Sequence, residues 1–268
     1  SFFAKVFSGI EKVADEKGYK VITCISNESS EKEINALEML SNGTIDGFIL
    51  SIAEESQKLQ KFDHFTTIIN EGTPIVMFDR IADEVNCDKV IVDDFESAVN
   101  ATEHLIKNGC KKIAYLSIAE NLSIDNKRMQ GYSEALSKHD IEFDKSRIVR
   151  CNNDDKFNYK KIKQLFKNVE VDGVFSSIEK FALSTYSVCK DVGINIPNDV
   201  KIISFSNIAT ADFLSPALTT ITQPAHEMGV KAASELFKYL DKKRYNIPNE
   251  NLIIKSTLTV RDSSVRKK

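Results

Sequence analysis

The 268 residues predict an α/β protein built as two doubly wound parallel-sheet lobes joined by three hinge crossovers. Three observations carry that prediction. Short apolar runs alternate with amphipathic helical stretches almost throughout, as parallel sheets covered on both faces require. Two stretches echo between the halves: "DGFILS" (46–51) with "DGVFSS" (172–177), and "GYKVITCIS" (18–26) with "GCKKIAYLS" (109–117). Late in the chain the alternation breaks at "LSPALTTITQPAHEMG" (214–229), a β-branched run between prolines that reads as a crossover.

Phe3, Val6, Phe7, Ile10, Val13 and Ala14 share one helical face, and Gly18 ends that helix. Val21 to Ile25 reads as a strand, and Ser30-Glu31-Lys32-Glu33 as a capping box opening the next helix. Strands are expected at 47–51, 74–79 and 90–93, with one helix through Leu59, Phe62 and Phe65 between the first two. The second half repeats the scheme, with strands at 113–117, 148–151, 173–177 and 200–206 and with Gly109 and Gly193 ending helices. Pro224 suits the first turn of a helix beginning near Ala225, and Leu252 to Val260 reads as a final long strand.

The second half opens with a strand and the first directly with a helix, so a strand is expected upstream of Ser1. A helix and a strand appended after the second lobe imply that the chain travels back. The expected lobes are 1–93 plus 223–250 and 94–222 plus 251–268, with hinges near Asp93-Asp94, Thr219–Gln223 and Asn251–Lys255.

A net charge of −3 and scattered lysines argue against this chain being the main contact to nucleic acid. Five cysteines without a C-x-x-C indicate neither a disulfide framework nor a zinc knuckle, and a reducing cytoplasm fits best. No apolar run approaches the roughly 20 residues of a membrane span. No P-loop, G-x-G-x-x-G or nucleophile elbow occurs, so no cofactor, metal or catalytic set is expected. His64, His104, His139 and His226 read as surface or packing residues, and Asp93-Asp94 and Asp154-Asp155 as hinge or solvent groups.

Eight stretches in order resemble the lactose-repressor/galactose-repressor (LacI/GalR) family of bacterial transcription regulators: "SFFAKVFSGIEKVADEKGYKV", "DGFIL", "PIVMFDR", "VDDFESAVNATEHLIKNGCKKIAYLS", "RMQGYSEAL", "IPNDVKIISFSN", "LSPALTTITQPAHEMG" and "LTVRDSS". The resemblance implies a type I periplasmic-binding-protein-like fold holding a small effector, often a sugar, in the cleft between the lobes. It also implies a homodimer and operator DNA contacted through an N-terminal helix-turn-helix, which is absent from this chain. Carried over residue by residue, it makes Phe2, Phe3, Asn27, Ser51, Asp79, Arg80, Arg128, Asn153, Glu179, Ser206 and Gln223 the candidate ligand-binding set. Arg128 matches the family's ligand-gripping arginine; the alternative is a surface ion pair with Asp125. Most of the others follow strands at their carboxyl ends, where open parallel sheets bind ligands.

Two departures stand out. The family usually has Asn-Asp where Ile178 and Glu179 stand, and an aspartate where Ser206 stands, which puts ordinary monosaccharide binding in question unless Glu179 substitutes. A periplasmic sugar-binding protein of a transporter is the alternative reading, and an enzyme on the same fold a third.

Overall fold

The computed structural model describes residues 2–118, 122–241 and 249–265. The chain divides into two compact units, residues 1–92, 121–123 and 224–254, and residues 93–120, 124–223 and 255–268.

Unit 1 is a parallel sheet of order β1-β2-β3-β9, formed by β1 (Phe48–Leu50), β2 (Ile75–Phe78), β3 (Asp88–Val92) and β9 (Asn251–Ile254). Strand alternation sends Val76 and Phe78 to one face and Ile75 and Met77 to the other. The first face packs on α1 (Phe2–Glu16) and α9 (Ala225–Leu240) through Val6, Met228, Ala232 and Leu236. The second packs on α2 (Ser30–Ser41), α3 (Glu54–Leu59) and α4 (Asp63–Asn70) through residues such as Leu37, Phe65 and Ile68. Helices α1 and α9 meet through Gly9 and Gly229. A Cβ on Gly229 would lie 2.0 Å from the Val6 carbonyl oxygen, and one on Gly9 2.2 Å from that of His226, so only glycine permits this approach.

Unit 2 is a six-stranded sheet of order β10-β8-β7-β6-β4-β5. Its strands are β4 (Ile113–Ser117), β5 (Ile148–Arg150), β6 (Gly173–Ser176), β7 (Lys201–Phe205), β8 (Thr219–Thr222) and β10 (Thr257–Thr259). All pairs are parallel except β10 with β8 at the edge. Tyr115, Phe175, Ile203 and Phe205 face α5 (Asp94–Lys107) and α6 (Ser123–Lys138), while Leu116, Val174 and Ile202 face α7 (Asp155–Asn168) and α8 (Glu179–Val192).

Several expectations need correction. Residues 19–26 form no strand: Ile22 is 59% and Ile25 77% exposed. The reason lies in the sheet order. In unit 2, β4 lies between β6 and β5, whereas in unit 1 β1, which carries the "DGFILS" echo of β6, is the edge strand. No described strand of unit 1 therefore stands where β4 stands in unit 2, and residues 19–26 have no ladder partner. By the same order these residues occupy the place of β5, so their echo with 109–117 does not reflect equivalent positions.

The single helix expected around Phe62 is two, broken at Gln60, whose left-handed φ of 53° caps α3. The expected terminal strand is also two: β9 pairs with β3 in unit 1, and β10 with β8 in unit 2. Residues 251–254 thus belong with the first unit, as do 122–123, and not with the second as expected, while Asp93 and Gln223 belong with the second and not the first. The cap of α2 is Ser29, not Ser30, with Ser29 Oγ 3.5 Å from the Lys32 amide. Glu33 turns inward instead, accepting from the Ala53 amide and Ser56 Oγ at 2.6 Å each.

Candidate functional site

In unit 1 Ser51, Asp79 and Arg80 follow β1 and β2 at their carboxyl ends, while Phe2 and Phe3 open α1. Asn27 and Glu28 follow residues 19–26 in a turn with left-handed φ of 50° and 64°, and Asp79 follows β2 with φ 59°. Left-handed backbone at non-glycine residues is costly and collects at functional places. Arg80, next to Asp79, donates from one terminal nitrogen to both carboxylate oxygens of Glu28, at 2.7 and 2.8 Å. Its Nε is buried without a hydrogen-bond partner, and so is Ser51 Oγ just after β1. Phe2 packs edge-on against Phe3 at 5.2 Å, and Phe3, itself 49% exposed, lies edge-on to Phe78 at 6.2 Å. Phe2 is thus partly a core residue, and Asn27 is exposed.

In unit 2 Arg128 lies on α6, 3% exposed. Both Arg128 and Asp125 are buried, so the alternative of a surface pair between them does not hold. Arg128 Nε donates to Asp94 at 2.7 Å and Nη1 to the Ser177 carbonyl at 2.6 Å, with the guanidinium 3.7 Å from the centre of the Phe205 ring. Burial pushes the Asp94 carboxyl up from its ordinary range, opposed by the charges of Arg128 and Lys127. Asp125 instead receives Ser117 Oγ at 2.5 Å and Tyr115 Oη at 3.0 Å. The Tyr115 hydroxyl is consequently held well above its usual pKa, first by burial and then by that carboxylate.

Glu179 opens α8 and accepts from Ser206 Oγ at 3.0 Å. The serine that replaces the expected aspartate is therefore coupled to the glutamate proposed to substitute for it. Asn153 is exposed, and its carbonyl accepts from Lys180 Nζ at 2.7 Å, while Lys180 pairs with Asp155 at 3.0 Å. Gln223 is held by its backbone: its amide donates to Asn207 Oδ1 and its carbonyl accepts from Asn207 Nδ2. Its side-chain Nε2 is buried and unpartnered, as is Ser177 Oγ after β6.

Four contributors escaped the sequence reading: Glu28, Asp94, Ser177 and Asn207. Ser177 was visible as the last residue of the "DGVFSS" echo. From the sequence Asp94 reads as a hinge or solvent group, and nothing in its spacing foretells a partner 34 positions on. Among the described residues no group of three or more His, Cys, Asp or Glu is placed to hold a metal, and no helix is long and apolar enough to cross a membrane. A shallow depression lined by Gly109, Lys112, Glu170 and Asp172 lies at the amino ends of β4 and β6, away from the selected residues; Lys112 pairs there with Glu170, and Asp172 accepts from the Lys111 and Lys112 amides.

Two doubly wound units with polar groups collected at the carboxyl ends of their strands define the type I periplasmic-binding-protein-like class. A profile of periplasmic binding proteins and the sugar-binding domain of the LacI family matches residues 1–260. The chain belongs to this family, as the effector-binding part of a LacI-type transcriptional regulator. It is 28% identical over 263 residues to the ribose operon repressor of Halalkalibacterium halodurans, covering 96% of this chain and 75% of that one. Among solved structures it resembles transcription regulator CcpA of Lactococcus lactis, with a TM-score of 0.85 and 26% identity over 98% of this chain and 95% of that one. It also resembles a LacI family regulator from Enterococcus faecium with bound ribose, with a TM-score of 0.85 and 25% identity over 100% of this chain and 95% of that one.

Proposed function

We propose that the carboxyl-end groups of the two units are the effector-binding groups of this regulator, and that the effector is a small polyhydroxylated molecule of the sugar class. The carrying observation is the set of buried, unpartnered polar atoms at these strand ends: Ser51 Oγ, Arg80 Nε, Ser177 Oγ and Gln223 Nε2. A buried polar group without a partner costs about 1–3 kcal/mol, a penalty that ligand hydroxyls and ring oxygens relieve. The bound ribose of the Enterococcus faecium protein supports the same class of ligand.

The reading includes a non-enzymatic role, operation in the cytoplasm and binding to operator DNA as a homodimer. With a net charge of −3, the residues of this chain serve sensing rather than phosphate contact. The effector acts by binding one conformation of the regulator better than another; moving a balance from 1:99 to 99:1 takes about 5.5 kcal/mol of differential affinity. Met39, Leu59 and Phe213 are apolar and at least half exposed, and they supply faces for a second copy.

Titration calorimetry with a pentose and hexose panel tests the reading. Arg128→Ala is expected to weaken binding at least tenfold. Because it also strands buried Asp94, Ser177→Ala serves as the milder variant, with a loss of about tenfold. Unchanged affinity in both variants overturns the assignment. Light scattering at micromolar concentration is expected to give twice the 30.1 kDa chain mass, and a monomer rejects the dimer.

A further inference from the structure

We propose that the effector of this regulator carries no negative charge: the binding groups accept neutral polyols and reject phosphorylated or carboxylated molecules of the same shape. This inference rests on the effector-binding role proposed above and narrows its substrate class.

Three independent features lead to it. The first concerns the cations. An anionic ligand needs a basic side chain whose charge is not already compensated, since a desolvated anion gains most from charge-assisted bonds. Arg80 is held by both oxygens of Glu28, Arg128 by buried Asp94, and Lys180 by Asp155. Arg80, Arg128 and Lys180 are therefore each matched by a carboxylate of their own unit, and Arg150, which ends β5, lies 3.7 Å from Asp125.

The second concerns helix N-termini, the other common anion receptors of this architecture. Every described helix that directly follows a strand carries an acid in its first turn: α3 has Glu54 and Glu55, α5 Asp94 and Glu96, α6 Asp125, α7 Asp155, α8 Glu179 and α9 Glu227. A carboxylate in the first turn offsets the positive dipole end that a phosphate would otherwise meet there. In α3 the Glu54 amide is further taken by Glu28 at 2.9 Å.

The third is what remains. Glu179 is a carboxylate bound by a neutral hydroxyl, Ser206 Oγ, with no cation paired to it among the described residues. The other unpartnered atoms at the strand ends are Ser51 Oγ, Ser177 Oγ, Gln223 Nε2 and Arg80 Nε, the last on a guanidinium whose charge Glu28 already matches. Such groups bind sugar hydroxyls well, whereas a phosphate finds no uncompensated opposite charge in either unit's set and meets a like one at Glu179.

The test uses the full chain and matched probes at constant ionic strength: D-ribose against D-ribose 5-phosphate, and D-glucose against D-glucose 6-phosphate, D-glucuronate and D-glucosamine. Affinities are read by calorimetry, with thermal shift as a second readout. Within the sugar series that binds, the neutral or amine-bearing member is expected to bind at least tenfold more tightly than its anionic partner. In Glu179→Gln the discrimination is expected to shrink by threefold or more. An anionic member that binds as well as or better than its neutral partner overturns the inference while leaving the effector-binding assignment intact. So does discrimination that is unchanged in Glu179→Gln. Absence of binding by every probe at millimolar concentration removes the assignment itself, and the inference with it.

Discussion

The two units run the same plan, with four strands in the sheet of unit 1 and six in that of unit 2 among the described residues. In unit 2, β4 has a partner on each side, and Tyr115 and Leu116 at its centre are fully buried. In unit 1, among the described residues, β1 is an edge, all three of its residues are only partly buried, and residues 19–26 form no strand, with Ile22 and Ile25 exposed. The arginines differ in the same sense. Arg128 is fixed on buried Asp94, each side chain less than 5% exposed, whereas Arg80 is fixed on Glu28, which is 44% exposed. A β-branched or apolar sequence is therefore not enough to make a strand or a core. The ladder on each side and the layer above decide whether its burial is realised.

The largest effect that tests this contrast is on the ion pairs. Arg128→Ala leaves Asp94 buried and uncompensated and is expected to destabilise unit 2 by about 3–5 kcal/mol. Arg80→Ala breaks a partly solvated pair and is expected to cost about 1 kcal/mol or less. Denaturant unfolding of both variants measures the difference, and equal losses would show that the two sites are equally buried in solution.

A smaller effect concerns the strands. Leu116→Ala is expected to cost about 2–5 kcal/mol, against within about 0.5 kcal/mol for Ile25→Ser. The cysteines report on the same contrast without mutation. Cys24 is exposed, while Cys87, Cys110, Cys151 and Cys189 are buried, with the thiols of Cys87 and Cys151 pushed up to about 11 and about 12 by burial. Alkylation of the native chain is expected to label Cys24 first. A protected Cys24, or a costly Ile25→Ser, would mean that residues 19–26 are covered in solution.

The smallest effect is a pH dependence confined to unit 2. His104 is half-buried, bonded to Ser264 at 2.9 Å and near Asn108, and burial lowers its pKa below the ordinary 6.5. The folded state thus favours the neutral ring, and the unfolded state binds the proton more readily. Stability is full above the unfolded value and declines as pH falls through it towards the lower folded value. His104→Gln is expected to flatten that part of the pH–stability curve. A curve of unchanged slope between pH 7 and 5 would assign the decline to other groups.

The sequence alone was enough for the alternation of elements, the crossover at 214–229, most strand positions and the family, because these rest on local periodicity and on motifs contiguous in the chain. Most of the candidate set consists of residues that follow strands, a position readable from the same periodicity. What the tertiary structure decided is who pairs with whom. Arg128 with Asp94, Arg80 with Glu28, and Ser206 with Glu179 are separated by 34, 52 and 27 positions. The sheet edge at β1 and the division of residues 251–260 between two sheets also depend on which strands lie side by side. Hydrogen-bond ladders and buried charges are satisfied between elements distant in sequence, and no local pattern encodes that choice of partner.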